Sequence, residues 1–343
     1  MQIAYSLAQL ANLTDPSVVT IGNFDGVHCG HHMVIANVLE RARALKAKSV
    51  AVTFDPHPAH VLRTDSRLPL ITPLAEKLEL LAATGLDLAL VLPFTDELRH
   101  WTARRFAETV LRDTLHAVEV HEGETFRFGH NAEADIASLS QLGEQLGFGV
   151  RTYTPCIARG AAISSSRIRR LIATGQLGEA RALLGRSFAI RSAPAPGRGY
   201  GTKYAVPTIN LAPYADLLPA NGVYITTLRI GDGPDSRLFR GVTNAGNRPT
   251  FGVDSFAVET HLFDFEPLEL TESTPLELTF LHRLRPERRF DTPELLRAQI
   301  GLDVRKALRY FALADRLKAV PQQAEASSDG VASLDVAAAE PVG

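Results

Sequence analysis

Two histidines three residues apart, His28 and His31, lie in the run Gly22-Asn23-Phe24-Asp25-Gly26-Val27-His28-Cys29-Gly30-His31. Imidazole N–H groups at that spacing can donate together to phosphate oxygens as negative charge develops in a transition state. Gly30, between them, lets a nucleotide come close. A helix starting here would add exposed N–H groups and the positive end of its dipole, so an anion can sit at this tip. A lone histidine in such a place is usually a helix cap or the filler of a polar gap; the clustering argues for a site. His57 and His60, just past Phe54-Asp55-Pro56, form a second pair and with Cys29 and Asp55 raise a zinc-hydrolase reading. His57 sits between two prolines, and the spacing matches no zinc pattern.

A third group is Ile163-Ser164-Ser165-Ser166-Arg167-Ile168-Arg169-Arg170. Serine hydroxyls and first-turn N–H groups at a helix start, joined by bidentate arginine, make a receptor for polyphosphate. The plainer alternative is a serine N-cap followed by surface arginines. Later, Pro207-Thr208-Ile209-Asn210 puts a hydroxyl and an amide oxygen on one side of an extended segment, where both suit a hard cation. Gly197, Gly199 and Gly201 upstream could wrap phosphate groups, or be plain turns. Glu259 is the candidate base of this half: strand alternation through residues 258–265 puts it on the face of Phe263 and Phe265. Partial desolvation there would raise its proton affinity toward that useful for deprotonating an alcohol, whereas an edge-strand position would leave it in water.

These residues need elements to hold them. Short β-rich runs at 18–24, 49–54, 88–94, 117–122 and 150–154 alternate with stretches of helical period at 31–46, 73–84, 103–115 and 135–146. That alternation predicts a parallel sheet covered by helices, an α/β fold whose ligands bind beyond the carboxyl ends of strands. Two helical stretches follow at 164–173 and 177–184. From a boundary near Arg186 the texture changes to strands at 223–230, 238–243, 256–265 and 276–284 separated by Gly, Pro and Asp turns, which predicts an antiparallel barrel or sandwich. Residues 293–313 read as one amphipathic helix with Leu295, Leu296, Ile300, Val304 and Leu308 as its buried stripe. Beyond Pro321 no periodic apolar face remains, so the tail is expected to be disordered. There is no internal repeat.

At 343 residues the chain is long enough for about two domains at roughly 150 residues each. Lys and Arg total 36 against 38 for Asp and Glu, so no overall field draws it to nucleic acid or an anionic membrane, and any anionic ligand must be bound locally. Two cysteines cannot build a disulfide framework, and residues 1–13 carry neither the basic region nor the apolar run of a secretory signal. With no apolar stretch long enough to span a bilayer, the expectation is a soluble protein of a reducing cytoplasm.

The runs 22–31, 54–58, 123–129 and 163–169 together resemble the adenylyltransferase module of bacterial bifunctional riboflavin kinase/FAD synthetases. In that family H-x-G-H and I-S-S-x-x-I-R belong to the wider nucleotidyltransferase superfamily, and Gly-Asn-Phe-Asp-Gly-x-His with Phe-Asp-Pro-His-Pro is much more specific. The motifs at 207–210, 219–224, 241–250 and 259–261 are similar to the riboflavin kinase module of the same family. The resemblance runs from about Val18 to Phe311. It implies a Rossmann-like nucleotidyltransferase domain (1–185), a Greek-key β-barrel kinase domain with a terminal helix (186–316) and a tail (317–343). The implied activity converts riboflavin and ATP to FMN, then FMN and a second ATP to FAD and pyrophosphate, each with Mg²⁺, and implies no nucleic-acid or membrane partner.

The resemblance also implies roles. His28 and His31 hold the reacting phosphates, and Arg167 joins Ser165 and Arg169 on the departing pyrophosphate. Gly22, Asn23, Phe24, Asp25, Gly26, Gly30, Asp55, Thr125, Ser164 and Ser166 complete the first site. In the second, Thr208 and Asn210 bind Mg²⁺ with ATP, Glu259 takes the riboflavin 5′-hydroxyl proton, and Gly197, Gly199, Gly201, Lys203, Asn244 and Arg285 bind substrate. Thr125 stands where the family has Asp or Asn, and Thr202 and Ala205 replace the usual Arg and Gly of the glycine-rich loop; Lys203 can restore part of the lost charge. Residues 121 and 122, His and Glu, are more polar than the usual apolar strand end. The alternatives are a chain keeping one activity, a nucleotidyltransferase for another phosphorylated substrate, and a flavin- or nucleotide-binding regulator without turnover.

Overall fold

The computed structural model describes residues 1–62, 68–195, 208–247, 256–266, 268 and 270–319. The glycine-rich loop (Gly197, Gly199, Gly201, Thr202, Lys203, Ala205), the motif residues 248–250 and the tail from residue 320 lie outside them. Residues Met1–Arg289 form one compact unit and Phe290–Gly343 a second.

The first part of the larger unit is a six-stranded sheet in the order β1-β4-β3-β2-β5-β6. Its strands are β1 (Gln2–Ala4), β2 (Ser17–Ile21), β3 (Lys48–Asp55), β4 (Leu88–Pro93), β5 (Ala117–Gly123) and β6 (Gly149–Tyr153), all pairing in parallel. The central strands are buried on both faces, β2 along its whole length, as expected of parallel strands covered by helices. Those helices are α1 (Cys29–Leu45), α2 (Pro58–Leu62), α3 (Leu74–Ala82), α4 (Asp96–Arg99), α5 (Ala103–Phe106, running on as a π-helix through Thr114) and α6 (Ile136–Leu146). The sequence pattern had not shown β1, an edge strand of three residues. Strand order reverses between β2 and β5, which makes the carboxyl end of that pair the crevice where ligands enter such sheets.

After a small hairpin, β7 (Ile157–Ala158) with β8 (Ala161–Ala162), come α7 (Ser165–Ala173) and α8 (Leu177–Leu184). The second sheet is antiparallel and runs β10-β11-β14-β13-β12-β15-β9. These are β9 (Phe188–Ser192), β10 (Pro194–Ala195), β11 (Thr208–Leu211), β12 (Gly222–Ile230), β13 (Arg237–Asn247), β14 (Phe256–Leu262) and β15 (Leu276–Pro286). Its two edges, β9 and β10, are consecutive in the chain with Ala193 between them, so one run pairs β15 with its first half and β11 with its second. The sheet therefore curls round on itself as a barrel. Ile168, Leu171, Ile172, Leu183 and Leu184 of α7 and α8 share one core with Phe188, Ile190, Tyr224, Leu228 and Phe280 of the barrel.

The second unit contains α9 (Pro293–Ala319), which runs a few residues past the helix end expected at 313 and into the expected tail. Its burial corrects the expected stripe. Leu295, Leu296, Ile300 and Leu308 are exposed and Val304 is half-buried, whereas Gln299, Asp303, Ala307 and Phe311 are buried. On the buried line the Gln299 amide donates to the Asp303 carboxylate at 2.8 Å. Apolar residues cover more than one side of this helix, so periodicity alone could not choose the covered one. Among the described residues, no helix is long and apolar enough to cross a membrane.

Candidate active site

His28 is the N-cap of α1. The His31 backbone N–H donates to His28 Nδ1 at 3.3 Å, and the His28 backbone N–H donates to His31 Nδ1 at 3.3 Å. This reciprocal cap satisfies two N–H groups at the helix start and leaves both rings stacked, with centroids 3.6 Å apart and planes 12° apart. With each Nδ1 accepting, a neutral ring must carry its proton on Nε2. Burial, the larger cause, brings the His28 pKa down to about 4 and holds His31 well below the ordinary imidazole range. Both rings are therefore neutral at pH 7, and together they present a pair of Nε2–H donors.

The backbone around them is tightly determined. Phe24 (φ 47°), Gly26 (φ 87°) and Val27 (φ 36°) occupy left-handed conformations, a cost for the two non-glycine residues that surrounding contacts must outweigh. The buried Phe24 ring meets the edge of His31 at 5.1 Å. A Cβ at Gly30 would come within 3.2 Å of the His28 ring, so glycine there makes room for the imidazole stack itself.

Asp25 is turned inward. Its carboxylate accepts from the backbone N–H groups of Ile71 (2.9 Å) and Thr72 (3.1 Å) and from Arg169 Nη2 (2.6 Å). Burial raises the Asp25 pKa against the opposing pull of these donors. Arg169 also donates to Pro69 O at 2.8 Å, and Ser165 Oγ donates to Asp25 O at 2.9 Å. Ser164 caps α7 by accepting from the Arg167 N–H, and Ser166 is exposed. Arg167 Nη1 reaches the carbonyls of Ala158 and Ala161 at 2.9 and 2.8 Å and pins the β7–β8 hairpin. The start of α7 is thus tied to the histidine tip through Asp25, with Asp25 and Arg169 building the loop. Gly22 and Asn23 stand at the open end of β2, Asp55 is exposed at the end of β3, and Thr125 is exposed in the turn after β5.

Two ionisable side chains that motif reading did not select lie beneath this tip. Lys77 of α3 is 5% exposed, and its Nζ donates to Asn23 O (3.2 Å), Thr53 Oγ1 (3.0 Å) and Phe54 O (3.5 Å). Its sequence signal is a lysine on the apolar stripe Leu74, Leu78 and Leu81 of α3. Glu122, at the switch point, accepts from the Ile21 backbone N–H at 2.5 Å and from Thr20 Oγ1 at 3.5 Å. Burial pushes its pKa well above the ordinary carboxylate range, against the opposing pull of the Ile21 N–H and the Thr20 hydroxyl. The neighbouring His121 is fully buried, bonded through Nε2 to Glu119 at 3.0 Å and through Nδ1 to the Tyr153 hydroxyl at 2.8 Å. Of the histidines in the zinc reading, His60 Nε2 is bonded to Leu68 O at 2.6 Å and His57 Nδ1 accepts from the Ala59 N–H at 3.1 Å.

In the barrel, register gathers residues that lie far apart in sequence. Asn210 of β11 is opposite Glu259 of β14, Glu259 is opposite Asn244 of β13, Asn244 is opposite Val223 of β12, and Val223 is opposite Arg285 of β15. Thr208, two residues before Asn210, shares its face and lies opposite His261. The adjacent row, Ile209, Thr260, Thr243 and Tyr224, is buried in the barrel interior, so the Glu259 row lies on the other face. One expectation is corrected here. β14 ends at Leu262; the buried Phe263 still lies beside His261, with ring centroids 5.7 Å apart, but Asp264 takes φ 51° and Phe265 beyond it packs against the barrel core. Asn210 and Asn244, not an aromatic surface, are the cross-strand neighbours of Glu259.

A doubly wound sheet with paired imidazole donors at its switch point, joined to a barrel that sets a carboxylate among hydroxyl and amide oxygens, defines a two-module transferase of phosphorus-containing groups. The FAD synthetase family model matches residues 11–167 and the riboflavin kinase model residues 184–311. With these matches and the relatives below, the chain belongs to the bifunctional riboflavin kinase/FMN adenylyltransferase family. It is 32% identical over 297 residues to the bifunctional riboflavin kinase/FMN adenylyltransferase of Escherichia coli (strain K12), covering 86% of this chain and 93% of that one. The enzyme of the same name from Pseudomonas fluorescens is 33% identical over 308 residues, 90% of this chain and 97% of that one. A crystal structure from Streptococcus pneumoniae, described as a macrolide-efflux protein, superposes with a TM-score of 0.78 at 25% identity over 88% of this chain and 97% of that one.

Proposed function

We propose that this chain makes both flavin cofactors: residues 1–185 transfer adenylate from ATP to FMN, and residues 186–316 transfer the γ-phosphoryl group of ATP to riboflavin. In the first reaction an FMN phosphate oxygen forms a bond to the α-phosphorus of ATP as the bond from that phosphorus to the pyrophosphate oxygen breaks. The attacking oxygen is already ionised, so alignment and charge stabilisation carry the catalysis. The Nε2–H donors of His28 and His31, beside the N-terminus of α1, bind the oxygens on which charge accumulates, and the start of α7 receives the departing pyrophosphate. Neutral donors suit this work because they need not titrate during turnover.

In the second reaction Glu259 takes the riboflavin 5′-hydroxyl proton as that oxygen attacks the γ-phosphorus. Thr208, Asn210 and Glu259 form an all-oxygen donor set on one face, the chemistry a hard divalent cation prefers, so Thr208 and Asn210 would hold Mg²⁺ here. Bound Mg²⁺ neutralises charge on the ATP phosphates. Two free cysteines, Cys29 and Cys156, fit a reducing cytoplasm, where ATP is available.

The observation that carries this reading is the reciprocal His28–His31 cap at the switch point. Its test is a time course with riboflavin, ATP and Mg²⁺ and chromatographic separation of the flavins. FMN should appear first, then FAD. His31→Ala should stop FAD formation and spare FMN formation; Glu259→Ala should stop FMN formation and leave FAD formation from supplied FMN. Equal loss of both activities in either variant contradicts the modular assignment.

A further inference from the structure

Lys77 lies outside every motif of the adenylyl-transfer site, yet it touches both tips on which that site depends. From α3 its ammonium reaches the ends of β2 and β3, where its three bonds go to Asn23 O, Thr53 Oγ1 and Phe54 O. Thr53 Oγ1 donates in turn to Asn23 O at 3.3 Å, so ammonium, hydroxyl and carbonyl close a triangle. Asn23 opens the histidine tip and Phe54 opens the Asp55 tip. A trans peptide points its C=O and N–H in opposite directions, so drawing these carbonyls toward α3 turns the next N–H groups, of Phe24 and Asp55, away from it. Phe24 is also a residue held at positive φ. A flexible surface lysine could not hold such a backbone, whereas a buried one with all three donors engaged can.

We propose that Lys77 is a positioning residue for adenylyl transfer: it clamps the two tips together and so sets the spacing between the His28–His31 pair and the Asp55 tip across which the nucleotide phosphates lie. This rests on the reading of the first module as an adenylyltransferase. The ammonium in this place also bears on the imidazole pair. Burial, then the neighbouring His28 and His32, hold His31 well below the ordinary imidazole range, and the Lys77 charge pushes in the same direction. Asp25 from the histidine tip, Asp55 from the end of β3 and His31 from α1 are the charged or titratable groups it faces.

The test compares Lys77→Met, Lys77→Arg and Thr53→Val in the full chain. It follows kcat and KM for FMN adenylylation, riboflavin phosphorylation as internal control, and the thermal transition. Lys77→Met is expected to lower adenylylation kcat about 100-fold, the scale of an ångström-sized misplacement of reacting groups, with riboflavin phosphorylation unchanged. Lys77→Arg restores charge and donors and should recover about 10-fold of that loss. Burial brings the Lys77 pKa down to about 8, so wild-type adenylylation should fall above that pH while the Arg variant, which does not titrate there, holds its rate. Thr53→Val removes one corner of the triangle at constant volume. It should lower kcat in the same direction by a smaller factor, and it carries the test if Lys77→Met does not fold. Unimpaired adenylylation in Lys77→Met, or in Thr53→Val where it alone folds, overturns the proposal, as does parallel loss of both activities and of the thermal transition. A wild-type chain that forms FMN but no FAD would instead overturn the functional reading beneath it.

Discussion

Acid should unfold this protein partly through one imidazole, and His28→Asn should remove that contribution. His28 is 5% exposed, and its pKa stands at about 4 in the folded chain against 6.5 when solvated. A folded-state pKa below the unfolded one means that protons bind the unfolded chain first. The stability from His28 is therefore complete above pH 6.5, falls as the pH drops, and is gone below about 4. Over that window the loss approaches ~3 kcal/mol, and between pH 7.5 and pH 5 it is ~2 kcal/mol. Asparagine keeps an oxygen that can accept the N3 N–H of α1, so the helix cap survives while the titration disappears. Urea unfolding at pH 7.5 and pH 5 gives the assay. Other titrating groups are common to both chains, so the difference between wild type and variant isolates His28. The variant should be less acid-sensitive by ~2 kcal/mol. A wild-type-minus-variant difference that is the same at both pH values would refute a desolvated, neutral His28, and with it the account of paired Nε2–H donors.

Glu122 acts in the opposite sense. Its folded pKa is raised, so as pH rises above 4.5 the unfolded chain releases this proton while the folded chain keeps it, costing about 1.4 kcal/mol per pH unit until the folded pKa is reached. Glu122→Gln should raise Tm at pH 7 and leave it little changed at pH 4, read by calorimetry. Gly30→Ala places a Cβ within 3.2 Å of the His28 ring and should separate the stacked imidazoles, lowering FMN adenylylation about 10- to 100-fold while riboflavin phosphorylation continues. Gly129→Ala forces a side chain onto φ 79° and brings its Cβ to 2.8 Å from the Ala103 nitrogen; thermal or urea unfolding should show a loss of about 2–4 kcal/mol.

Spacing along the chain settled what is local in this protein. Alternating periods marked a covered parallel sheet and then an antiparallel barrel, because a buried strand and an amphipathic helix each impose their own repeat on neighbouring residues. A histidine pair with a small residue between, at the start of a helix, announced an anion site because capping and dipole act within one turn. Tertiary structure decided which distant groups each side chain meets. Asp25 and Arg169 neutralise one another inside the loop, and Lys77 and Glu122, ordinary charged letters in the sequence, are buried under the tip. Strand register alone aligned Asn210, Glu259, Asn244 and Arg285, and one left-handed residue at Asp264 took Phe265 off the face expected beside Glu259. The buried side of α9 followed the same rule: its apolar residues circle too much of the helix for their spacing to choose a face. Period and motif constrain a few successive residues. The donors, acceptors and apolar surfaces that a side chain finally meets come from segments that only the folded chain brings together.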